Sequence, residues 1–302
     1  MAVQTKVKQM SSYSVHEREW VETSIWRRRW RQFVRHRLAF TGLVTIVLLF
    51  MFASIGPLFW QVSLEEIDLL NRMSGISPEH PLGTDEHGRD VLARLMHGGR
   101  ISLVVGLVAA LISVGVGGVL GLVSGYAGGM LDTIIMRVTD AFMSIPLYFL
   151  LLSVLAAIGG GFVNVVIVIG LTAWMSVARI VRSEVLRIRE MDYILAARAL
   201  GVPRQRILYR HITPQVIGPM VVACTLNVAY AILVESALSY LGLGVQPPMP
   251  SWGNMLYNAR GFVFTNPVLA VYPGVAILLT VLAFNAIGDG LSDVFDPMSL
   301  KR

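Results

Sequence analysis

Residues 101–131 read ISLVVGLVAALISVGVGGVLGLVSGYAGGML, 31 consecutive positions without a charged side chain. A helix rises about 1.5 Å per residue, so roughly 20 apolar residues cross a hydrocarbon core. Hydrocarbon offers no partner to an exposed backbone amide or carbonyl, which makes a helix the default form of such a run. A transmembrane barrel would show short alternating segments instead. Within the run Gly117, Gly121, Gly125 and Gly129 recur every four residues and form a smooth stripe. A stripe of this kind lets a neighbouring helix approach closely, either as a static contact or as one that slides. Gly115, Gly118 and Gly128 add flexibility around it.

Working outward, the chain repeats this pattern. Hydrophobic residues make up 55% of the 302 positions and charged residues 15%, against roughly 25% charge in a soluble domain. Apolar spans are expected over 38–60, 101–124, 134–158 with a kink at Pro146, 162–178, 216–240, and 267–287 with Pro273 inside. The fold class is therefore an all-α polytopic membrane protein with about six transmembrane helices. Its segments are a basic and aromatic arm (1–37), the first span (38–60), an acidic external segment (61–100), a five-helix core (101–288) with an intervening loop (190–214), and a tail (289–302).

Orientation follows from the basic residues. Nine Lys and Arg precede the first span, eight arginines lie in 179–211, and Lys301 and Arg302 end the chain. With six spans all three fall on one side, so both termini face the cytoplasm. The net charge of +6 flanks apolar spans and does not indicate nucleic acid. In the arm, Trp20, Trp26 and Trp30 interleave with Arg27, Arg28, Arg29 and Arg31, followed by Arg35 and Arg37. That pattern suits an interfacial helix on membrane lipids, or a positive tail that only sets topology.

Few polar groups lie within the spans. Asn227, Ala231 and Glu235 repeat at i+4 and make a partly polar stripe; a carboxylate there faces a bundle interior, an aqueous path or the interface. Asn227 and Glu235 are the candidates for a substrate path. Arg137 and Asp140 are spaced to pair on one face, with Asp132 nearby. His80, His87 and His97 share the external segment with several acids, but no H-x-x-x-H or H-E-x-x-H pair points to a metal site. Cys224 stands alone in an apolar run and reads as a packed small residue. No G-x-x-x-x-G-K-[ST] occurs, so energy from ATP must come from a partner. No nucleophile–base set marks a catalytic site.

The loop reads EMDYILAARALGVPRQRILYRHITP over 190–214. A small-sided helix around Ala196 and Ala197 ends at Gly201, which tolerates a left-handed cap. Val202 and Pro203 restart the chain into a second short helix over about 203–210. There Ile207 and Leu208 are expected exposed within a rim of Arg204, Arg206 and Arg210, a docking knob or a helix lying on lipid.

The Ala-Ala-x-x-x-Gly run, closed by Pro214, resembles the "EAA" coupling loop of binding-protein-dependent ABC importer permeases, with Leu195 in place of the usual Glu and Thr213 in place of the usual Leu. Four further segments are similar to the dipeptide, oligopeptide and nickel branch, and within it to the second, C-type, permease subunit. They are LGTDEHGRD (82–90), GYAGG (125–129) with Asp132, ESALSYLGLG (235–244) with QPP (246–248) and SWG (251–253), and NAIGDGLSD (285–293) with Asp296 and Pro297. The resemblance implies a type I importer subunit, in the cytoplasmic membrane of a prokaryote, that moves di- or oligopeptides. Implied partners are a similar but non-identical permease subunit, two cytoplasmic ATPases that bind ATP and Mg, and an extracytoplasmic binding protein. Residues expected to couple to the ATPase are Ala196, Ala197, Gly201, Val202, Pro203, Arg204, Gln205, Arg206, Ile207, Leu208 and Tyr209. Import of nickel, nickel chelates or oligosaccharides by the same architecture is the nearest alternative. A proton-driven transporter relaying through Glu235 or Asp140, or a membrane scaffold docking a soluble enzyme, are readings of other classes.

Overall fold

A computed structural model of the chain describes residues 25–64 and 66–295. Expectations placed on Trp20, on Asp296 and Pro297, and on Lys301 and Arg302 lie outside the described residues. Five helices are long and apolar enough to span a membrane: α2 (Arg37–Phe59), α3 (Val91–Ala127), α6 (Phe162–Arg189), a rod over Arg204–Tyr240, and α11 (Val268–Phe295). α4 (Gly129–Met143) and α5 (Leu147–Ile158) are together apolar enough for a sixth span but meet at 84°, as in a broken span or a re-entrant pair. Three shorter helices complete the frame: α1 (Ile25–Arg35) ahead of α2, α7 (Asp192–Ala199) between α6 and the rod, and α10 (Trp252–Ala259) between the rod and α11.

The third span departs from expectation. Pro146 does not kink a continuous helix but separates two of them. Proline disfavours helical backbone at the residue before it, and Ser144 closes α4 by donating its hydroxyl to Ala141 O at 2.7 Å. The fifth span departs in the opposite sense. The expected short helix over 203–210 is not a separate knob but the first turns of the rod. It comprises α8 (Arg204–Ile207), a wide π turn over Leu208–Ile212, and α9 (Thr213–Tyr240). Pro214 lacks an N–H, and the wider turn before it carries the chain past the missing bond without a stop.

α3 and α6 form the centre of the bundle. A methyl placed on Gly117 would lie 2.5 Å from Trp174 O, on Gly121 2.6 Å from Ala178 O, and on Gly125 2.8 Å from the Val185 side chain. Backbone therefore packs on backbone, and the stripe is a close contact of three glycines. Gly129 is not part of it: it opens α4 at φ +58 with open space around its Cα. By contrast α2 is peripheral, with 17% of its most apolar window buried against 50% for α6.

Both arginine clusters sit at one end of the bundle. The Arg29 guanidinium lies 5.0 Å from the centre of the Phe295 ring, His36 Nε2 lies 3.5 Å from Asp293, and Gly218 near the start of α9 packs against Phe295. Tyr126 at the end of α3 donates its hydroxyl to Arg204 O at 2.7 Å. The acidic segment closes the other end. There Asp90 caps α3 by accepting from Ala93 N (2.6 Å), and also binds Trp60 Nε1 (3.2 Å) and His80 Nδ1 (2.9 Å).

In α1, Phe33 turns into the bundle while Arg27, Trp30, Arg31 and Arg35 face outward. The outward set Arg27, Arg31 and Arg35 repeats at i+4, so it is one cationic stripe.

Enlarging the stripe tests the α3–α6 contact. Gly121→Leu should destabilise the protein by about 1–3 kcal/mol through overpacking, whereas Gly115→Leu, where nothing lies within 4 Å, should shift stability far less. Thermal unfolding in detergent micelles separates the two.

Candidate functional site: a helix-capped surface and a membrane cavity

At the arginine end, α7 ends in a Schellman cap. Gly201 adopts φ +75, its N–H donates to Arg198 O (3.0 Å), and Val202 N–H reaches back to Ala197 O (3.1 Å). Val202 and Ala197 pack together against a cluster that contains Ile194, Ile207 and Ile212, all fully buried. This anchoring corrects the expectation for Ile207 and Leu208: the first is buried and the second half-buried, so neither forms an exposed knob. Apolar groups do face outward, but they are Leu200 (84% exposed), Tyr209 (71%), Leu195 and Tyr193. Ala196, Gly201, Pro203, Arg204, Gln205 and Arg206 are exposed beside them. The result is a firm apolar patch with a cationic rim, backed by isoleucines.

Within the membrane region a cavity of about 370 Å³ opens beside the α4–α5 break. The break itself supplies Phe142, Met143 and Pro146, α6 supplies Thr172 and Ser176, and α9 supplies Asn227 and Tyr230. Size and lining fit a largely apolar ligand site with a few polar groups. Asn227 lies on its wall and donates to Ala223 O (2.8 Å).

Glu235, two turns further along α9, is not on that wall. It is fully buried: Ser239 Oγ donates to one carboxylate oxygen (2.7 Å) and Ser102 Oγ to the other (3.3 Å), while Trp252 N–H donates to Ser102 Oγ (3.2 Å). The i+4 stripe of Asn227, Ala231 and Glu235 is thus split, one end opening on the cavity and the other bracing α3, α9 and α10. Glu235 therefore does not line this cavity.

The expected Arg137–Asp140 pair is replaced by longer-range ones. Arg182 of α6 grips Asp132 of α4 through two contacts of 2.6 Å, and Arg179 holds Asp140 at 2.5 Å. These pairs join residues 50 and 39 positions apart, and the reading of the sequence anticipates neither.

In the external segment, Asp85 accepts from His87 N–H (2.8 Å), Arg89 N–H (3.0 Å) and Arg89 Nε (2.8 Å), and lies 3.4 Å from Arg94 Nε. Gly88, at φ +77, lets Asp68 O pass where a side chain would clash. The Asn71 amide beside Asp68 holds that carboxyl below the usual carboxylate range. Asp85, Glu86 and His87 bring ligand atoms within 4.8 Å of one another, but Arg89 already binds both carboxylates. The histidines are divided: His80 turns to Asp90 and His87 to Glu86. The segment is a cap on α3, knotted by guanidiniums.

Residues 117–300 match the family described as the binding-protein-dependent transport system inner membrane component. The chain belongs to that family. Residues 24–78 also match the N-terminal transmembrane domain of oligopeptide transport permease C. The dipeptide transport system permease protein DppC of Alkalihalophilus pseudofirmus is 39% identical over 281 residues, covering 93% of this chain and 92% of that protein. The oligopeptide permease OppC of Bacillus subtilis is 36% identical over 92% of this chain and 91% of its own length. The glutathione permease GsiD of Pectobacterium atrosepticum is 39% identical over 90% and 91%. Among solved structures, the inward-facing MetNI methionine ABC transporter matches with a TM-score of 0.55 at 18% identity, covering 67% of this chain and 96% of that one. At that identity it speaks for the fold alone. The permease is thus a multi-pass inner-membrane subunit of the C type found in peptide-class ABC importers.

The enclosure of Glu235 has a measurable consequence. Glu235→Ala leaves two serine hydroxyls without their acceptor and opens a void, so the permease should lose about 2–4 kcal/mol. Glu235→Gln keeps shape and an acceptor and should lose less than half of that, as read from unfolding temperatures in detergent.

Proposed function

We propose that this permease forms one half of the membrane path of an ATP-driven importer of di- and oligopeptides. The observation that carries this reading is identity of 36–39% over more than nine-tenths of the chain to permeases named for dipeptide and oligopeptide transport. The uncharged cavity beside the α4–α5 break supports it, because a peptide backbone needs neutral donors and acceptors and its side chains need tolerant apolar walls. Asn227, Thr172, Ser176 and Tyr230 are the polar groups there.

In this reading the arginine end faces the cytoplasm, as the positive-inside rule requires, and the α1 stripe rests on anionic headgroups. A second, non-identical permease closes the cavity from the open side of α4 and α5. Two ATPases bind ATP and Mg, and one of them docks on the patch formed by Leu200, Gly201, Pro203, Arg204, Arg206 and Tyr209. A binding protein delivers substrate at the acidic end. Coupling then runs both ways: whatever free energy the ATPases transmit to the path, the binding protein transmits back. Nickel-chelate or sugar import would use the same frame, and the relatives' names favour peptides.

Calorimetry on the cognate binding protein decides the substrate class: peptides should bind, whereas exclusive binding of a nickel complex or an oligosaccharide would redirect the assignment. Gly201→Val forces a β-branched residue to φ +75, at a cost of roughly 1–2 kcal/mol. The variant should insert normally and dock the ATPases about tenfold more weakly, measured by co-purification and by substrate-stimulated ATP hydrolysis. Full stimulation in this variant would remove the cap from the coupling surface.

A further inference from the structure

The cavity walls carry no charge, yet an ion pair lies one turn from them toward the arginine end. Arg179 follows Met175 and Ser176 by four and three residues, and both line the cavity, so all three share one face of α6. Asp140 precedes the cavity residue Met143 by one turn of α4. The axial step from Ser176 to Arg179 is about 4.5 Å, so Arg179 stands one turn beyond the lining residues and within a side chain's reach of the cavity.

Two pairs tie α4 to α6, and they differ in kind. Asp132 and Arg182 make two contacts of 2.6 Å, with Ser124 donating to the same carboxylate, and their side chains are 16% and 32% exposed. That is a closed tie. Asp140 and Arg179 make a single contact through one guanidinium nitrogen, and are 52% and 46% exposed. A charge in a span needs a partner, and a guanidinium fork is shaped to take a carboxylate by two parallel bonds. The Arg179 fork is therefore charge-balanced but only half used.

We propose that Arg179 is a substrate-binding residue that takes the C-terminal carboxylate of a peptide in the cavity, with Asp140 holding the guanidinium between transport cycles. An arriving carboxylate replaces Asp140 on Arg179, while the peptide's own ammonium group balances the released Asp140. The exchange keeps each charge beside an opposite one throughout. This inference rests on the peptide reading above.

The test uses the complete complex in proteoliposomes with its binding protein, a tripeptide and its C-terminal amide, both taken from those the binding protein holds. The readout is the ratio of initial uptake rates, acid to amide. Arg179→Gln should lower that ratio about tenfold, the loss expected for a charge-assisted hydrogen bond. Arg179→Lys, which keeps the charge but loses the two-bond fork, should lower it by an intermediate factor of about threefold. Asp140→Asn should hold the ratio or raise it. Where Arg179→Gln fails to assemble, the double variant with Asp140→Asn leaves no unpaired charge and should show the same fall. If Arg179→Gln and Asp140→Asn slow both peptides alike and leave the ratio untouched, the pair is only a brace and the proposal fails. A wild-type complex that takes up neither peptide, though its binding protein holds both, overturns the peptide reading itself.

Discussion

The contact on which the rest of the permease depends is the backbone-to-backbone approach of α3 and α6 at Gly117, Gly121 and Gly125. In lipid the tails are as apolar as leucine, so burying apolar surface gains little, and association rests on close packing and on polar contacts between helices. Removing three side chains from one helix lets the other come near enough for both. At the far side of this contact α9 is drawn in against α3, while α11 packs on α9 and on α2, which is left at the rim. The cavity lies at the 84° break between α4 and α5: α5 packs on α6 through Leu151 and Leu155, α4 is tied to α6 by its ion pairs, and the bend between them leaves a gap lined by Thr172, Ser176 and Asn227.

Polar groups obey the same constraint in two ways. Where a group is sealed, as Glu235 is by Ser102 and Ser239, every oxygen finds a donor and the cluster fastens three helices. Where a group opens on a gap, as at Arg179 and Asp140, charge is balanced but donors are left over. The sealed cluster lies near the acidic end, and the singly bonded pair lies one turn from the cavity.

Much of this was legible from residue order because the controlling features are local. The glycine spacing predicts one close helix contact; Gly201 predicts a cap; Asp90 before Val91 predicts a helix start. Legibility fails where a signal has two meanings. Pro146 and Pro214 both read as interruptions, yet one breaks a span outright and the other is carried by a π turn. Ile207 and Leu208 read as exposed because charges surround them in sequence, but a helix buries one face of any such run. The i+4 row of Asn227 and Glu235 is a true face, and which helix covers each end of it depends on α10, 17 residues beyond Glu235. The Arg182–Asp132 tie spans 50 positions and leaves no local trace.

The unbroken rod over Arg204–Tyr240 has a mechanical meaning. At 37 residues it is about 55 Å long, and a stiff body of that length pivoting near its middle by about 5° carries its two ends roughly 2.4 Å in opposite directions. Had a loop intervened at Pro214, a push at Arg204 would dissipate there. Continuity through the π turn makes the inner end and the outer end a single see-saw, so narrowing one mouth and widening the other become one movement instead of two.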